Sequence, residues 1–190
     1  HGGTNFGFTA GANAGNPTQY QPDVTSYDYD APISEQGLPT PKYFMLRKLI
    51  AAHSKEKLPA IPKPIPAISI PAVAMAHHTD LWQHPPEPVH AAQPLPFEQL
   101  GQNQGLVLYR TKLIGHKSGK LTITEPHDLA LVFLNGMFID TVFRDGGNWT
   151  VDLPKTDVDN PVLDILVEGM GHINYGPYIV DRKGITERVL

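Results

Sequence analysis

From about residue 100 onward, apolar and polar positions alternate in short runs: GLVLYRTKL, GKLTITE, DLALVFLNGMFIDTVFR, NWTVDLP and PVLDILVEG. The runs are rich in β-branched and aromatic residues and are separated by turn signals, which predicts strands of period two. Asn135-Gly136 sits between two of them and predicts a tight I′ hairpin, because both residue types tolerate positive φ. Short strands at this spacing point to a sandwich or jelly roll with no helix of useful length. A different period runs through TPKYFMLRKLIAAHSKEK. There Tyr43, Leu46, Ile50 and His53 share a face, with Leu49 beside them, which predicts a helix from Thr40 to Lys57. Thr40 can cap it, Pro41 suits its first turn, and Lys55 and Lys57 complement its C-terminal dipole. Pro59 ends it.

The chain opens with HGGTNFGFTAGANAGNP, whose Gly, Asn and Thr read as loop. Residues 58–98 hold more than half of the 19 prolines. Such a stretch favours extended, polyproline-like connection, with room for one strand near Ala67 to Ala74. A ligand for a proline-reading domain is the sharper alternative, and nothing else in the sequence supports it. Three regions follow: 1–57, a proline-rich linker with a strand leading onward at 58–98, and a β domain at 99–190.

Composition narrows the function classes. The 190 residues are enough for one large domain or two small ones, and 41% apolar content supplies a core. The net charge is −4 and no Lys/Arg run exceeds two residues, so nucleic acid finds no electrostatic footprint. The longest nearly apolar run, AISIPAVAMA, is about half a membrane span and contains Pro71. With no cysteine, disulfides and thiolate metal sites are excluded and the compartment stays open. The chain starts at His1 with no signal-peptide pattern and reads as the interior of a longer polypeptide.

The most informative stretch is YDYDAP, Tyr27 to Pro32. If it is extended, Tyr27 and Tyr29 point one way and Asp28 and Asp30 the other. The two aspartates, roughly 6.6 Å apart along a strand, approach the spacing of an inverting glycosidase pair. Both would project from one side of one strand, however, whereas catalytic carboxylates flank the scissile bond from different directions. Their expected role is structural, accepting bonds from backbone or basic groups. A phenol offers a ring to the C–H face of a sugar and a hydroxyl to its polar edge, so the tyrosines fit a sugar site. On chemistry alone, two core tyrosines remain the plain alternative. HGGTNFG lacks the spacing of a nucleotide loop, and neither Asp28-Tyr29-Asp30 nor His77, His78 and His84 is assigned a metal. No cofactor is expected. Asn148-Trp149-Thr150 is a glycosylation sequon that matters only in a eukaryotic secretory pathway.

HGGTNFG, TSYDYDAPISEQG with TPKYFMLRKLI, GLVLYRTKL and NYGPYIVDRKGI occur in that order. Together they resemble the β-galactosidases of glycoside hydrolase family 35, from His1 to the C-terminus and most weakly over residues 58–98. The resemblance implies the last strand, loop and helix of a TIM (β/α)₈ barrel followed by an all-β, galactose-binding-like jelly roll. HGGTNFG would end the last barrel strand, Phe8 to about Thr40 would be the loop above it, and the helix would be the last barrel helix. Active sites sit at the C-terminal ends of barrel strands. The resemblance therefore gives Tyr29 a contact with galactose in the −1 pocket and places Tyr27 on the same wall. It implies a retaining hydrolase of terminal β-galactosides whose acid/base and nucleophile glutamates both precede His1, so this chain carries no catalytic residue. Its partners would be the galactoside and the remainder of the barrel. A non-catalytic carbohydrate-binding or scaffolding protein is the alternative. The family often reads Glu-Asn-x-Gly-Arg before NYG, whereas this chain has Gly169 and His172 in EGMGHINYG. If that arginine makes a charged contact with another domain, His172 weakens it near neutral pH.

Overall fold

A computed structural model describes residues 2–4, 11–16, 19–23, 26–28, 30–115 and 118–190. They fall into two units, one of His1–Thr4 with Ser26–Pro88, the other of Asn5–Thr25 with Val89–Leu190.

In the first unit Gly2–Thr4 (β1) pairs antiparallel with Ser26–Asp28 (β4), Gly3 lying opposite Tyr27. The opening read as loop thus begins with a strand. After Asp30 the chain reverses through a bridge between Ile33 and Pro39, inside which the Ser34 N–H donates to the Leu38 carbonyl at 2.9 Å. Pro41–His53 (α1) follows. It is shorter than predicted, ending where the Ser54 N–H reaches the Ile50 carbonyl at 2.8 Å. Thr40 stands at the N-cap, but its side chain makes no capping bond. Its hydroxyl turns back to the carbonyls of Ala31 and Pro32, at 3.1 and 3.0 Å, and ties the reversal to the helix instead. No residue of α1 is buried, and Phe44, Met45, Leu46, Leu49 and Ile50 are all exposed. Residues 54–96 hold neither helix nor strand, so the strand expected near Ala67 to Ala74 does not form. Pro62, Pro64, Pro66 and Pro71 remove donors that a ladder there would need.

Among its described residues the second unit is all-β apart from short 3₁₀ turns, one of them Phe97–Leu100. Its central sheet is antiparallel, with Gly105–Lys112 (β5), Val162–Gly169 (β11), Leu129–Leu134 (β8) and Met137–Phe143 (β9) in that spatial order. The predicted hairpin is present. Asn135 and Gly136 have φ of 50° and 76°, and Leu134 lies opposite Met137. Alternate residues of β8, Ala130, Val132 and Leu134, are buried as the period-two pattern requires. Ala130 and Val132 share one core with Leu163, Ile165 and Val167 of β11. Residues of the paired strands Gly119–Thr122 (β6) and Thr150–Leu153 (β10) join the same core. Asp164 interrupts the apolar run of β11 and is 2% exposed. Arg110 of β5 holds it in a two-pronged pair, Nε at 2.6 Å and Nη2 at 3.0 Å, so the buried charge is compensated.

Two further small sheets belong to the unit. Gly184–Ile185 (β13) pairs with Pro126–His127 (β7). His172–Tyr175 (β12) pairs in parallel with Gly11–Ala14 (β2), which pairs antiparallel with Tyr20–Pro22 (β3). The last sheet differs from expectation, because residues 11–22 were read as part of a loop above a barrel strand.

Candidate functional site

Of the two tyrosines expected to meet sugar, Tyr29 lies outside the described residues. Tyr27 is described only by its backbone, which pairs with Gly3 in the β1–β4 ribbon. Asp30 has the structural role expected of it. Lys42, in the first turn of α1, donates to the Asp30 carboxylate and, at 2.6 Å, to its carbonyl. The hydrogen bond from Lys42 holds the Asp30 carboxyl below the usual carboxylate range. The end of YDYDAP is therefore tied to the start of α1 twice, through Thr40 just before the helix and through Lys42 in its first turn.

Among the described residues the densest charged constellation lies elsewhere, inside the β unit. Asp128, at the start of β8, is fully buried. Its Oδ1 accepts from Arg144 Nη1 at 2.7 Å, and its Oδ2 accepts from Lys183 Nζ at 2.7 Å and the Met170 N–H at 2.8 Å. Asp181 is the second carboxylate. Its Oδ1 lies 2.9 Å from Arg144 Nη1, while its Oδ2 lies 2.8 Å from Lys183 Nζ and 3.2 Å from the Ile173 N–H. With a third bond to the Gly171 carbonyl at 2.7 Å, the Lys183 ammonium uses all three donors. Two anions thus face two cations, and each carboxylate touches both. Burial disfavours the charge on Asp181, but bonds from His127, Lys183 and Arg144 outweigh that and hold its carboxyl far below the usual range.

Tyr20 of β3 caps the cluster. Its hydroxyl donates to the Gly171 carbonyl at 2.6 Å, accepts from the Gly171 N–H at 2.7 Å, and lies 3.2 Å from Asp128 Oδ2. Its ring faces Arg144, with Cζ 4.3 Å from the centroid, and Lys183 Nζ at 5.0 Å. Burial, then the charge of Asp128, raise the phenol well above its ordinary range, so it stays protonated and keeps its donor. Nothing here offers a reacting group to solvent. The arrangement is a lock, and its chemistry is to hold segments together.

None of these residues was singled out from the sequence. The signal available was charge inside apolar context, as in PHDLAL and VDRKGI, but Asp128 meets its two cations across 16 and 55 residues of chain. Among the described residues no group of three His, Asp or Glu could hold a metal, and no helix is long and apolar enough to cross a membrane.

Comparison with known proteins decides the family. Residues 1–53 match the profile described as glycosyl hydrolases family 35, and residues 94–190 match that of the β-galactosidase first all-beta domain. The chain belongs to glycosyl hydrolase family 35. It is 39% identical to a β-galactosidase of Xanthomonas manihotis, over 100% of this chain and 32% of that protein. It is also 39% identical to β-galactosidase 17 of Arabidopsis thaliana and 38% identical to a β-galactosidase of Pongo abelii, covering 30% and 28% of them. The chain spans about a third of the length of the curated relatives it matches.

Within this family 35 chain, Gly169 and His172 each have a definite local setting. At Gly169 a Cβ would stand 2.9 Å from the ring of Phe97, a fully buried residue, so the aromatic ring occupies the space a side chain would need. His172 directs its two ring nitrogens at the carbonyls of Asp181, 3.0 Å away, and Asn103, 2.7 Å away. It thus bridges two segments of its own β unit.

His127 flanks the lock. Its Nε2 is 3.2 Å from Glu125 Oε2, and its Nδ1 is 2.7 Å from the Arg182 carbonyl and 3.4 Å from Asp181 Oδ1. Burial and Arg144 oppose its charge, yet these three acceptors outweigh them and raise its pKa above the ordinary 6.5. A raised histidine pKa stabilises the fold fully below 6.5, and that contribution is lost as pH rises through the folded value. Asp181, lowered from 3.8, contributes above that value and loses its contribution only in stronger acid. The urea midpoint of the β unit is therefore expected to fall as pH is raised from about 6 to 9. In His127→Gln that alkaline slope should flatten, and an equal slope in the variant would exclude His127 as its source.

Proposed function

We propose that this chain is part of a retaining β-galactosidase acting on terminal β-D-galactosides, and that it carries one wall of the galactose pocket and neither catalytic glutamate. The observation that carries this reading is likeness along the whole chain to proteins named β-galactosidases, with HGGTNFG and YDYDAP both in place. Pairing of Gly2–Thr4 with Ser26–Asp28 supports it, because it joins the two motifs in one ribbon. The exposed apolar residues of α1 support its role as the last helix of a (β/α)₈ barrel, whose helices bury such a stripe against strands. In this reading the β unit is a jelly roll that follows the barrel in the chain. Tyr29 contacts the sugar in the −1 pocket and Tyr27 lines the same wall, their rings against C–H faces and their hydroxyls toward sugar hydroxyls.

Retention requires two carboxyl groups about 5–5.5 Å apart, one a nucleophile and one an acid/base. With both outside these residues, the 190-residue chain should not turn over a chromogenic β-galactoside, while the complete protein should. Turnover by the chain alone that survives repurification would overturn this. In the complete enzyme, Tyr29→Phe removes one hydroxyl and keeps the ring. A hydrogen bond of about 0.5–1.5 kcal/mol corresponds to a loss of roughly 2- to 12-fold in kcat/KM, more if it tightens at the transition state. Asp28→Asn should lower the melting temperature more than it changes sugar affinity. If Tyr29→Phe is silent while a well-folded Asp28→Asn abolishes turnover, the two faces of YDYDAP are the other way round.

A further inference from the structure

Nothing holds the middle of the proline-rich stretch. Residues 60–79 are exposed throughout, and among the described residues none of them takes part in a hydrogen bond or ion pair. Neither family match reaches them, the first ending at residue 53 and the second beginning at 94. Ile68, Val73 and Met75 are 80%, 68% and 84% exposed. Backbone without burial or hydrogen bonds can enter a protease cleft with no unfolding to precede it. Ile65 and Ile70 are each followed by proline, which lacks the N–H that a docked substrate donates. The bonds Ala67–Ile68, Ala72–Val73 and Ala74–Met75 have no such obstacle.

A cut there would divide the β unit between two pieces, because Asn5–Thr25 precedes it and Val89–Leu190 follows it. The piece before the cut contributes an arm. Its β2 adds itself in parallel to β12, with Gly11 opposite His172 and Ala12 opposite Ile173. β3 returns beside β2, and the Asp23 N–H closes the arm on the Gly11 carbonyl at 2.9 Å. A Cβ at Gly176 would stand 2.7 Å from the Ala14 carbonyl oxygen, so the two pieces meet backbone to backbone. Ala12, Ala14 and Tyr20 form a small core with Ile173. The Tyr20 N–H donates to Asp145 Oδ1 at 2.7 Å, its hydroxyl donates to and accepts from Gly171, and its ring lies against Arg144 and Lys183. Every one of those Tyr20 partners lies after the cut.

We propose that residues 67–76 are a cleavage site for an endopeptidase that takes an apolar residue after the scissile bond, and that the cut protein persists as two chains clasped by the β2–β3 arm. The step is hydrolysis. Water supplies the oxygen of the new carboxylate, the Ile68, Val73 or Met75 nitrogen leaves as an amine, and each cut adds one water to the total mass. The proposal is independent of the β-galactosidase reading, because every contact it uses lies within the β unit.

Thermolysin acting briefly on the full 190-residue chain tests both halves. Intact masses should place the first cuts at the three named bonds, and first cuts elsewhere would overturn the site. Native mass spectrometry should then show both pieces in one particle, separating in concentrated guanidinium. On serial dilution their Kd should lie below about 1 μM. Pieces that part at higher concentration would overturn the clasp. Tyr20→Ala should raise that Kd at least about 30-fold, as loss of a buried aromatic anchor does. Asp145→Asn weakens a single bond of the arm and should raise it about 3-fold. It serves as the measurement if Tyr20→Ala does not fold. A Kd unchanged in the folded variants would show that other contacts hold the pieces and would overturn the role of the arm.

Discussion

Asp128→Ala should leave the β unit unfolded, or nearly so, at 37 °C. Asp128 is fully buried and accepts from Arg144, Lys183 and the Met170 N–H. Its loss leaves two buried cations facing one carboxylate, Asp181, and a backbone donor without its acceptor. Breaking a buried pair by removing one partner typically costs about 3–5 kcal/mol, because the remaining charge stays desolvated. Domain stabilities run to only about 5–15 kcal/mol, so this is a large share of the total. Asp152→Ala is the matched control. Its pair with Lys120 at 2.7 Å is shorter than many, but both side chains are at least 70% exposed. Water screens such a pair, and its removal should cost no more than about 1 kcal/mol. Urea unfolding of both variants, followed by circular dichroism, measures the contrast. Equal losses in the two would show that the cluster does not carry the weight assigned to it.

Gly184→Ala should destabilise the same unit by about 2–5 kcal/mol. Two costs add there. Gly184 has φ of +92°, where a side chain brings strain of about 1–2 kcal/mol. Its Cβ would also stand 2.3 Å from the Tyr109 hydroxyl oxygen and 2.7 Å from Phe97 Cδ1, and overpacking of this kind adds about 1–3 kcal/mol. Neither neighbour can move aside freely. Phe97 is fully buried, and the Tyr109 hydroxyl donates to the Leu95 carbonyl at 2.8 Å while accepting from the Ile185 N–H at 3.2 Å. Burial raises the Tyr109 phenol to about 12, so that donor persists through neutral and mildly alkaline pH. Gly101→Ala separates the terms, because its φ is +72° and nothing lies within 4 Å of the added atom. It should show the strain alone. If the two variants unfold at the same urea concentration, the clash contributes nothing.

Much of the β unit could be read locally. The period-two runs became β5, β6, β8 to β11, and the Asn135-Gly136 turn formed the hairpin between β8 and β9. α1 formed where the 3.6-residue pattern stood, and Asp30 accepts from a basic group, Lys42, as its structural role required. These features depend on steric preference and side-chain direction within a few residues, so a short window of sequence contains their cause. The family motifs were equally legible, because HGGTNFG and YDYDAP are contiguous in the chain.

Other features had no local cause. Thr40 had the residue type of a helix cap, but the carbonyls of Ala31 and Pro32 lay within reach and took its hydroxyl instead. GANAG and TQYQP carry no strand pattern, and they became β2 and β3 because β12 offered an unpaired edge more than 150 residues later. Asp128, Arg144, Asp181 and Lys183 look like surface charges when taken singly. Only the fold brings them together, and only together can they be buried, since each desolvated charge needs its partners in place at once. The sequence by itself determined the strands of the central sheet, the hairpin, the helix and the family. The tertiary structure alone decided which edge β2 and β3 joined and which charges closed over Tyr20, because those choices depend on contacts between residues far apart in the chain.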